Sequence, residues 1–146
     1  MEKIEFKSQI CTTKEQSERL LALGLNKETA DCALHFDCVD IDGKVYYRAY
    51  EIGHKCCGVP AWSLHRLIDM LPHVIAGLVI SADGKEIKMF CYLRITKGEV
   101  AYWYYNEDGI VECYERFGGA DLYKNVIDII EFLISENLFQ KDYMVQ

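Results

Sequence analysis

Capping residues followed by a leucine-rich stretch predict a helix near the start of the chain. Thr12 and Thr13 each stand three residues before a side chain that completes a capping box, Glu15 or Gln16 respectively. Leucines follow at helical spacing, and Gly24 suits the left-handed position that often ends a helix. We therefore expect a helix that begins after Thr12 or Thr13 and ends at Gly24.

A second helix is predicted directly after the first. Asn26 is suited to cap it, and its apolar stripe consists of Ala30, Ala33, Leu34 and Phe36. The two helices would form an αα-hairpin. Their charges are mixed, so the pair lacks the basic face with which a helix-turn-helix reads DNA.

Strand and helix signals alternate over the next segment. Asp42-Gly43 is a hairpin signal between predicted strands at 37–41 and 44–52. Pro60 suits the first turn of a helix, because the amide that proline lacks would be unpaired there. The apolar stripe of that helix has i, i+3, i+4 and i+7 spacing and consists of Leu64, Leu67, Ile68 and Leu71.

From residue 74 the hydrophobic pattern has a period of two. Predicted strands at 74–81 and 86–95 flank Asp83-Gly84, and strands at 100–105 and 110–116 flank a turn that ends at Gly109. One face of the strand at 86–95 carries Ile87, Met89, Cys91, Leu93 and Ile95. The pattern predicts an antiparallel meander with one packed and one solvated face.

The chain closes with a predicted helix that runs from its cap, Asp121, to about Asn137. No proline- or serine-rich linker and no repeat divides the chain. The predicted fold is therefore α+β, with an antiparallel sheet of hairpins and a meander and about four helices packed mainly on one side of it. We expect a single domain over residues 1–146.

Composition narrows the classes of protein to which the chain can belong. Sixteen basic residues against 23 acidic ones give a formal net charge of −7, and 51% of residues are hydrophobic. That composition excludes disorder, and no apolar run reaches the roughly 20 residues that span a membrane. The start of the chain has no signal-peptide pattern. We predict a soluble cytoplasmic protein that binds neither membranes nor nucleic acid, since nucleic-acid binding usually needs a basic patch.

Seven cysteines are spread along the chain, from Cys11 to Cys113. The number is odd and the spacing is that of no small disulfide-linked domain. In a reducing compartment such residues are free thiols, and several of them are expected to serve as small core residues.

The sharpest candidate for a metal site is a group of cysteines and histidines, namely Cys32, His35, Cys38, His54, Cys56 and Cys57. Thiolate and imidazole are the ligands that zinc prefers. The spacing nevertheless matches no zinc finger or ribbon, and the side chains of adjacent cysteines diverge. We predict no metal and keep this group as the alternative.

Cys56 and Cys57 are also the candidates for a cysteine nucleophile. They precede the helix predicted at Pro60, whose dipole would favour a thiolate, and His54 and His65 are near in sequence. No known motif flanks them, and the chain has no glycine-rich phosphate loop, no G-x-S-x-G elbow and no H-E-x-x-H. The sequence predicts no catalytic residue and no cofactor.

Aromatic residues are concentrated on the predicted strands at 44–52 and 100–105. Aromatic rings are good strand formers, so the group can be purely structural. The alternative is a binding surface, since exposed Tyr and Trp are enriched in interface cores. The candidate surface consists of Trp62, His65 and Tyr105. We predict that Trp62 is only partly buried beside this surface and that Trp103 is mainly structural.

Three stretches carry a resemblance to a known family: EQSERLLALGLNKETADC, then PAWSLHRLIDMLP, then AYWYY with a terminal helix ending in EFLISENLF. The chain resembles a family of small uncharacterised proteins from phages and mobile elements of gut Bacteroides-type bacteria. Asn137-Leu138-Phe139 stands where Asn-Gly-aromatic is usual in that family. The resemblance implies no catalytic residue or cofactor, and it favours an accessory protein of a mobile element.

The sequence therefore predicts a non-enzymatic protein that binds another protein, as an accessory or inhibitory factor acting on a host component. The alternative is a cysteine- or metal-dependent enzyme centred on the 54–57 loop. A structural subunit that only self-associates is a third interpretation.

Overall fold

The computed structural model describes residues 9–39, 41–43, 45–51 and 58–146. In chain order the elements are α1 (Lys14–Ala22), β1 (Cys32–Val39), β2 (Val45–Glu51), β3 (Val59–Ala61), α2 (Leu64–Asp69), β4 (Val74–Ile80), β5 (Glu86–Thr96), β6 (Glu99–Tyr105), β7 (Val111–Gly118) and α3 (Leu122–Ser135), with short 3-10 turns at Lys27–Thr29 and Lys141–Tyr143. The chain divides into two compact units, Met1–Arg66 and Leu67–Gln146. The prediction of one domain over residues 1–146 stays a prediction.

The α+β class with antiparallel strands is confirmed, but the number of helices is not. The described residues contain three α-helices rather than about four. The helix predicted after Asn26 is the missing one. Asn26 does act as a cap, since its side chain accepts from the Glu28 amide, but only a 3-10 turn follows. The αα-hairpin prediction is therefore wrong.

In place of that second helix, the chain enters β1, the central strand of a three-stranded sheet in the order β2-β1-β3. Ala33 and Leu34 are good helix formers, but antiparallel ladders on both sides of β1 outweigh that local preference. Cys32 and Leu34 lie on the packed side with Cys11 and Ala61. Tertiary pairing thus decides the conformation of this segment.

The prediction that Pro60 lies in the first turn of a helix is wrong, because Pro60 lies in strand β3. It pairs in register with Ala33, and its strand β3 is at the edge of the sheet, where a missing amide is tolerated. The following helix α2 begins at Leu64, and the Ser63 hydroxyl accepts from the Arg66 amide at 3.1 Å. Trp62 therefore lies between the strand and the helix.

The first helix agrees with its prediction. Thr13 caps α1, and its hydroxyl and the Gln16 side chain form the reciprocal bonds of a capping box. Gly24 follows the helix with a φ of 96°, a conformation that costs glycine little.

The second unit contains the predicted meander, a four-stranded sheet in the order β4-β5-β6-β7. Gly84 and Gly109 have φ angles of 82° and 75° in the two hairpin turns at one end of the sheet. On β5 the predicted alternation holds, with Cys91 fully buried and its neighbours Phe90 and Tyr92 exposed. A β-bulge interrupts the β6–β7 ladder at Tyr102/Trp103.

Helix α3 covers one side of this sheet, which we call the inner face. Asp121 caps the helix by accepting from the Lys124 amide. Phe132 packs edge-on against Tyr114 of β7, with ring centroids 6.1 Å apart, and also contacts Phe117. Phe117 pairs with Val100, which is fully buried. Burial of this face provides most of the hydrophobic core of the unit.

Gly77 of β4 allows the ring of Tyr114 to lie close to the backbone of the sheet on its inner face. A Cβ atom added at this position would lie 2.7 Å from ring atoms of Tyr114, which is inside van der Waals contact. The tyrosine ring is itself held against Phe132 of α3. Glycine is needed here because the ring occupies the space of a side chain.

We expect Gly77→Ala to lower the unfolding free energy by about 1–3 kcal/mol, the usual range for overpacking a core. Chemical denaturation measures the change. Gly98→Ala is the matched control, because a Cβ atom there meets nothing within 4 Å. Equal stability of the two variants would contradict the assignment.

Candidate functional site

Trp62 is completely buried, so the prediction that it is only partly buried is wrong. Its indole Nε1 donates to the Thr29 hydroxyl at 3.0 Å. Its backbone amide donates to Thr12 Oγ1 at 3.0 Å, and the Thr12 amide donates to its carbonyl at 2.9 Å. The Trp62 ring is therefore an interior side chain bonded to Thr29 and not part of an exposed surface.

Further hydrogen bonds hold the same region together. Asp31 accepts from the Ser63 amide at 2.8 Å and from the Ser63 hydroxyl at 2.5 Å, and Arg66 Nε donates to the Thr29 carbonyl at 2.8 Å. Thr29 and Asp31 belong to the stretch EQSERLLALGLNKETADC, and Trp62 and Ser63 belong to the stretch PAWSLHRLIDMLP. Hydrogen bonds between these residues connect the two stretches, so the residues stabilise the fold.

The three residues of the candidate interaction surface have different environments. Trp62 offers no exposed side chain. His65 is exposed at the start of α2, in the first unit. Tyr105 belongs to the second unit, at the end of β6, and is 59% exposed.

The candidate metal ligands that the structure describes do not form a cluster. Within the described part of the chain no group of three or more His, Cys, Asp or Glu residues is placed to hold a metal ion. The three-residue step from Cys32 to His35 lies on a strand, where it directs side chains to opposite faces, and not on the predicted helix. The Cys38 side chain, His54, Cys56 and Cys57 lie outside the described residues.

The described cysteines are poorly suited to nucleophilic chemistry. Burial raises the pKa of Cys11, Cys91 and Cys113, and burial with the nearby Asp31 carboxylate raises the pKa of Cys32 to about 12. All four are free thiols. Since the thiolate is the reactive form, the raised pKa of each thiol disfavours its reaction as a nucleophile at neutral pH.

The raised pKa of Cys32 has a consequence for stability. Its thiol ionises more readily in the unfolded chain, so the unfolding free energy is constant below the ordinary thiol pKa of about 9 and falls between pH 9 and 12. Denaturation of Cys32→Ala and the parent protein from pH 7 to 11 measures this. We expect the parent to lose stability more steeply than the variant above pH 9, and parallel curves would contradict the assignment.

The sheet side opposite α3 is apolar over much of its area; we call it the outer face. Its exposed apolar residues lie on all four strands and are Val74, Leu78, Ile80, Phe90, Tyr92, Tyr105 and Val111. A single row of paired residues, Val74–Tyr92–Trp103–Cys113, crosses the whole sheet. Leu78 is 62% exposed and Phe90 67% exposed, values unusual for a face without a partner.

A groove of about 500 Å³ lies at one part of the outer face. Tyr92, Arg94, Trp103, Tyr105 and Val111 line it. The guanidinium carbon of Arg94 lies 5.8 Å from the centre of the Trp103 ring, a cation–π contact. Trp103 is partly exposed, but its Nε1 is buried without an acceptor among the described residues. We call this the Trp103 groove.

A second cleft, of about 320 Å³, lies between the two hairpin turns. There the Tyr104 hydroxyl donates to Glu112 at 2.6 Å, and the Asn106 amide donates to the same carboxylate at 3.0 Å. The bond to Glu112 raises the pKa of Tyr104 to about 12, and both bonds lower the pKa of Glu112. The polar groups satisfy one another, which is typical of a structural network.

No described helix combines the length and apolar character needed to cross a bilayer. Comparison of the chain with known protein families, with curated proteins and with solved structures finds no match.

Proposed function

We propose that the protein is a non-enzymatic factor that binds another protein through the outer face of its four-stranded sheet. The observation that carries this proposal is the row Val74–Tyr92–Trp103–Cys113, which crosses all four strands, together with the exposed apolar side chains beside it. Apolar patches of this kind on small proteins mark interaction sites. Tyr, Trp and Arg, which line the Trp103 groove, are also the residue types most often found at binding hot spots.

The biological setting of the proposal is a cytoplasmic accessory or inhibitory factor of a phage or mobile element, acting on a host component. Support for this setting comes from the three resembling stretches of sequence. The raised pKa of each described thiol supports a binding role over cysteine catalysis at those positions.

Affinity capture from bacterial lysate with a matched pair of variants tests the proposal. Leu78→Glu introduces a charge into the outer face, and Ile10→Glu makes the same kind of change at a residue that is 70% exposed in the first unit. We expect Leu78→Glu to lose the captured protein with its melting temperature unchanged, and Ile10→Glu to retain it. Equal capture by both variants would refute the outer face as the binding surface.

A further inference from the structure

The Trp103 groove combines an apolar lining with an available cation, Arg94. We infer that it binds an extended segment of a partner protein in which an apolar side chain stands beside a carboxylate. This inference rests on the proposed function and specifies the chemistry of its partner.

The apolar part of the segment is indicated by the lining of the groove. Tyr92, Tyr105 and Val111 expose 50%, 59% and 44% of their surface. A volume of about 500 Å³ accommodates a large aliphatic or aromatic side chain with the backbone next to it. Burying such a side chain against rings gives the hydrophobic part of the affinity.

The carboxylate is indicated by Arg94. This exposed side chain stacks over Trp103 and has no acidic partner among the described residues, whereas Arg116, on the other side of Ala101, pairs with Glu99 at 3.8 Å. Stacking holds the guanidinium in place before a ligand arrives, so less side-chain entropy is lost on binding. Arginine binds carboxylates in a two-pronged geometry that favours Asp or Glu over neutral acceptors.

Trp103 contributes to the groove through the exposed part of its ring, because its Nε1 is buried and out of reach of a ligand in the groove. Arg94, which lies over this ring, therefore supplies the charged contact next to the apolar site.

Single-stranded nucleic acid and a second copy of the chain are the other occupants to consider. Bases stack on aromatic rings, but much of the outer face is aliphatic, at Val74, Leu78 and Ile80, and the lining of the Trp103 groove supplies one cation, Arg94, where a nucleic-acid backbone carries a charge at every phosphate. The observations favour a peptide segment, and both other occupants are outcomes of the experiment.

Selection of random twelve-residue peptides displayed on phage, with the intact protein immobilised, tests the inference. We expect enriched peptides with Asp or Glu next to an aromatic or large aliphatic residue.

Synthetic copies of the selected peptides, measured by fluorescence anisotropy, should bind Arg94→Ala about tenfold more weakly than the parent. Lys97→Ala, which removes an exposed cation from the β5–β6 turn, should leave the affinity unchanged. Arg94→Glu should regain affinity for a peptide whose acidic residue is replaced by lysine.

Four results would overturn the inference. They are selected peptides without a carboxylate, equal affinity of Arg94→Ala and the parent, micromolar binding of a twenty-nucleotide oligo-dT strand, and a concentration-dependent dimer that Phe90→Glu abolishes. Failure of the inference is separable from failure of the proposed function. If Leu78→Glu abolishes capture from lysate and Arg94→Ala does not, only the chemistry assigned here is wrong.

Discussion

Replacement of Trp62 by alanine is expected to lower the unfolding free energy by about 3–5 kcal/mol, enough to unfold a marginally stable domain. The side chain is fully buried and its indole N–H is bonded to Thr29. Truncation removes the packing of the largest side chain in the first unit and leaves the Thr29 hydroxyl without its donor. The effect on binding at the outer face would then be secondary to unfolding.

Urea denaturation, monitored by circular dichroism, measures this loss of unfolding free energy. Thr29→Val tests the polar part of the loss at nearly constant volume, since it removes the acceptor of the indole N–H and the hydroxyl that donates to the Asn26 carbonyl, and it should cost about 1–3 kcal/mol. A Trp62→Ala protein within about 0.5 kcal/mol of the parent, the range for surface positions, would show that the ring is not a core residue.

Adjacent residues on β6 are expected to give opposite results. Tyr102 is completely buried on the inner face, where its hydroxyl donates to the Pro72 carbonyl at 2.6 Å. Its replacement by alanine should cost about 3–5 kcal/mol. Trp103 lies on the outer face beneath Arg94. Trp103→Ala should cost only about 1 kcal/mol and should abolish binding of outer-face ligands.

Melting temperature and ligand affinity, measured on both variants, separate the two roles. Tyr102→Phe is the control for the hydroxyl, because it keeps the ring and loses only the bond to Pro72. If Trp103→Ala unfolds the protein, the earlier expectation that Trp103 is mainly structural is right and the groove loses its central residue.

The second unit could be predicted from sequence because its signals are local. Alternation along residues 86–96 separates Cys91 from Phe90 and Tyr92, and the Asp-Gly turn at Gly84 fixes the hairpin. The cap at Asp121 likewise marks the start of α3. Each signal involves residues within a few positions of one another, so no knowledge of the tertiary structure is needed.

The first unit was predicted less well because distant residues determine it. Trp62 is buried by partners 50 and 33 residues away in sequence, Thr12 and Thr29. The strand at Cys32–Val39 exists through ladders to β2 and β3, which outweigh the helical preference of its own residues. A short apolar run without such partners is ambiguous between helix and strand.

The candidate site also combines features that local sequence determines with features that depend on residues distant in sequence. Alternation places Tyr105 on the same face of β6 as Trp103, but it does not tell which face of the sheet the helix covers. The contact of Arg94 with Trp103 could not be predicted, because it joins β5 and β6 diagonally through a register in which Tyr92 lies opposite Trp103. An arginine within reach of a tryptophan is recognisable only once the pairing of β5 and β6 is known.

Site-specific photo-cross-linking tests the outer face as a protein-binding surface most directly. A benzophenone amino acid placed at Phe90 on the outer face is compared with one at Glu131, an exposed position on α3. If the outer face binds another protein, irradiation in cells should cross-link the Phe90 variant to that protein. Leu78→Glu should abolish this product, and the Glu131 variant should give none. A product from position 131 and none from position 90 would contradict this expectation.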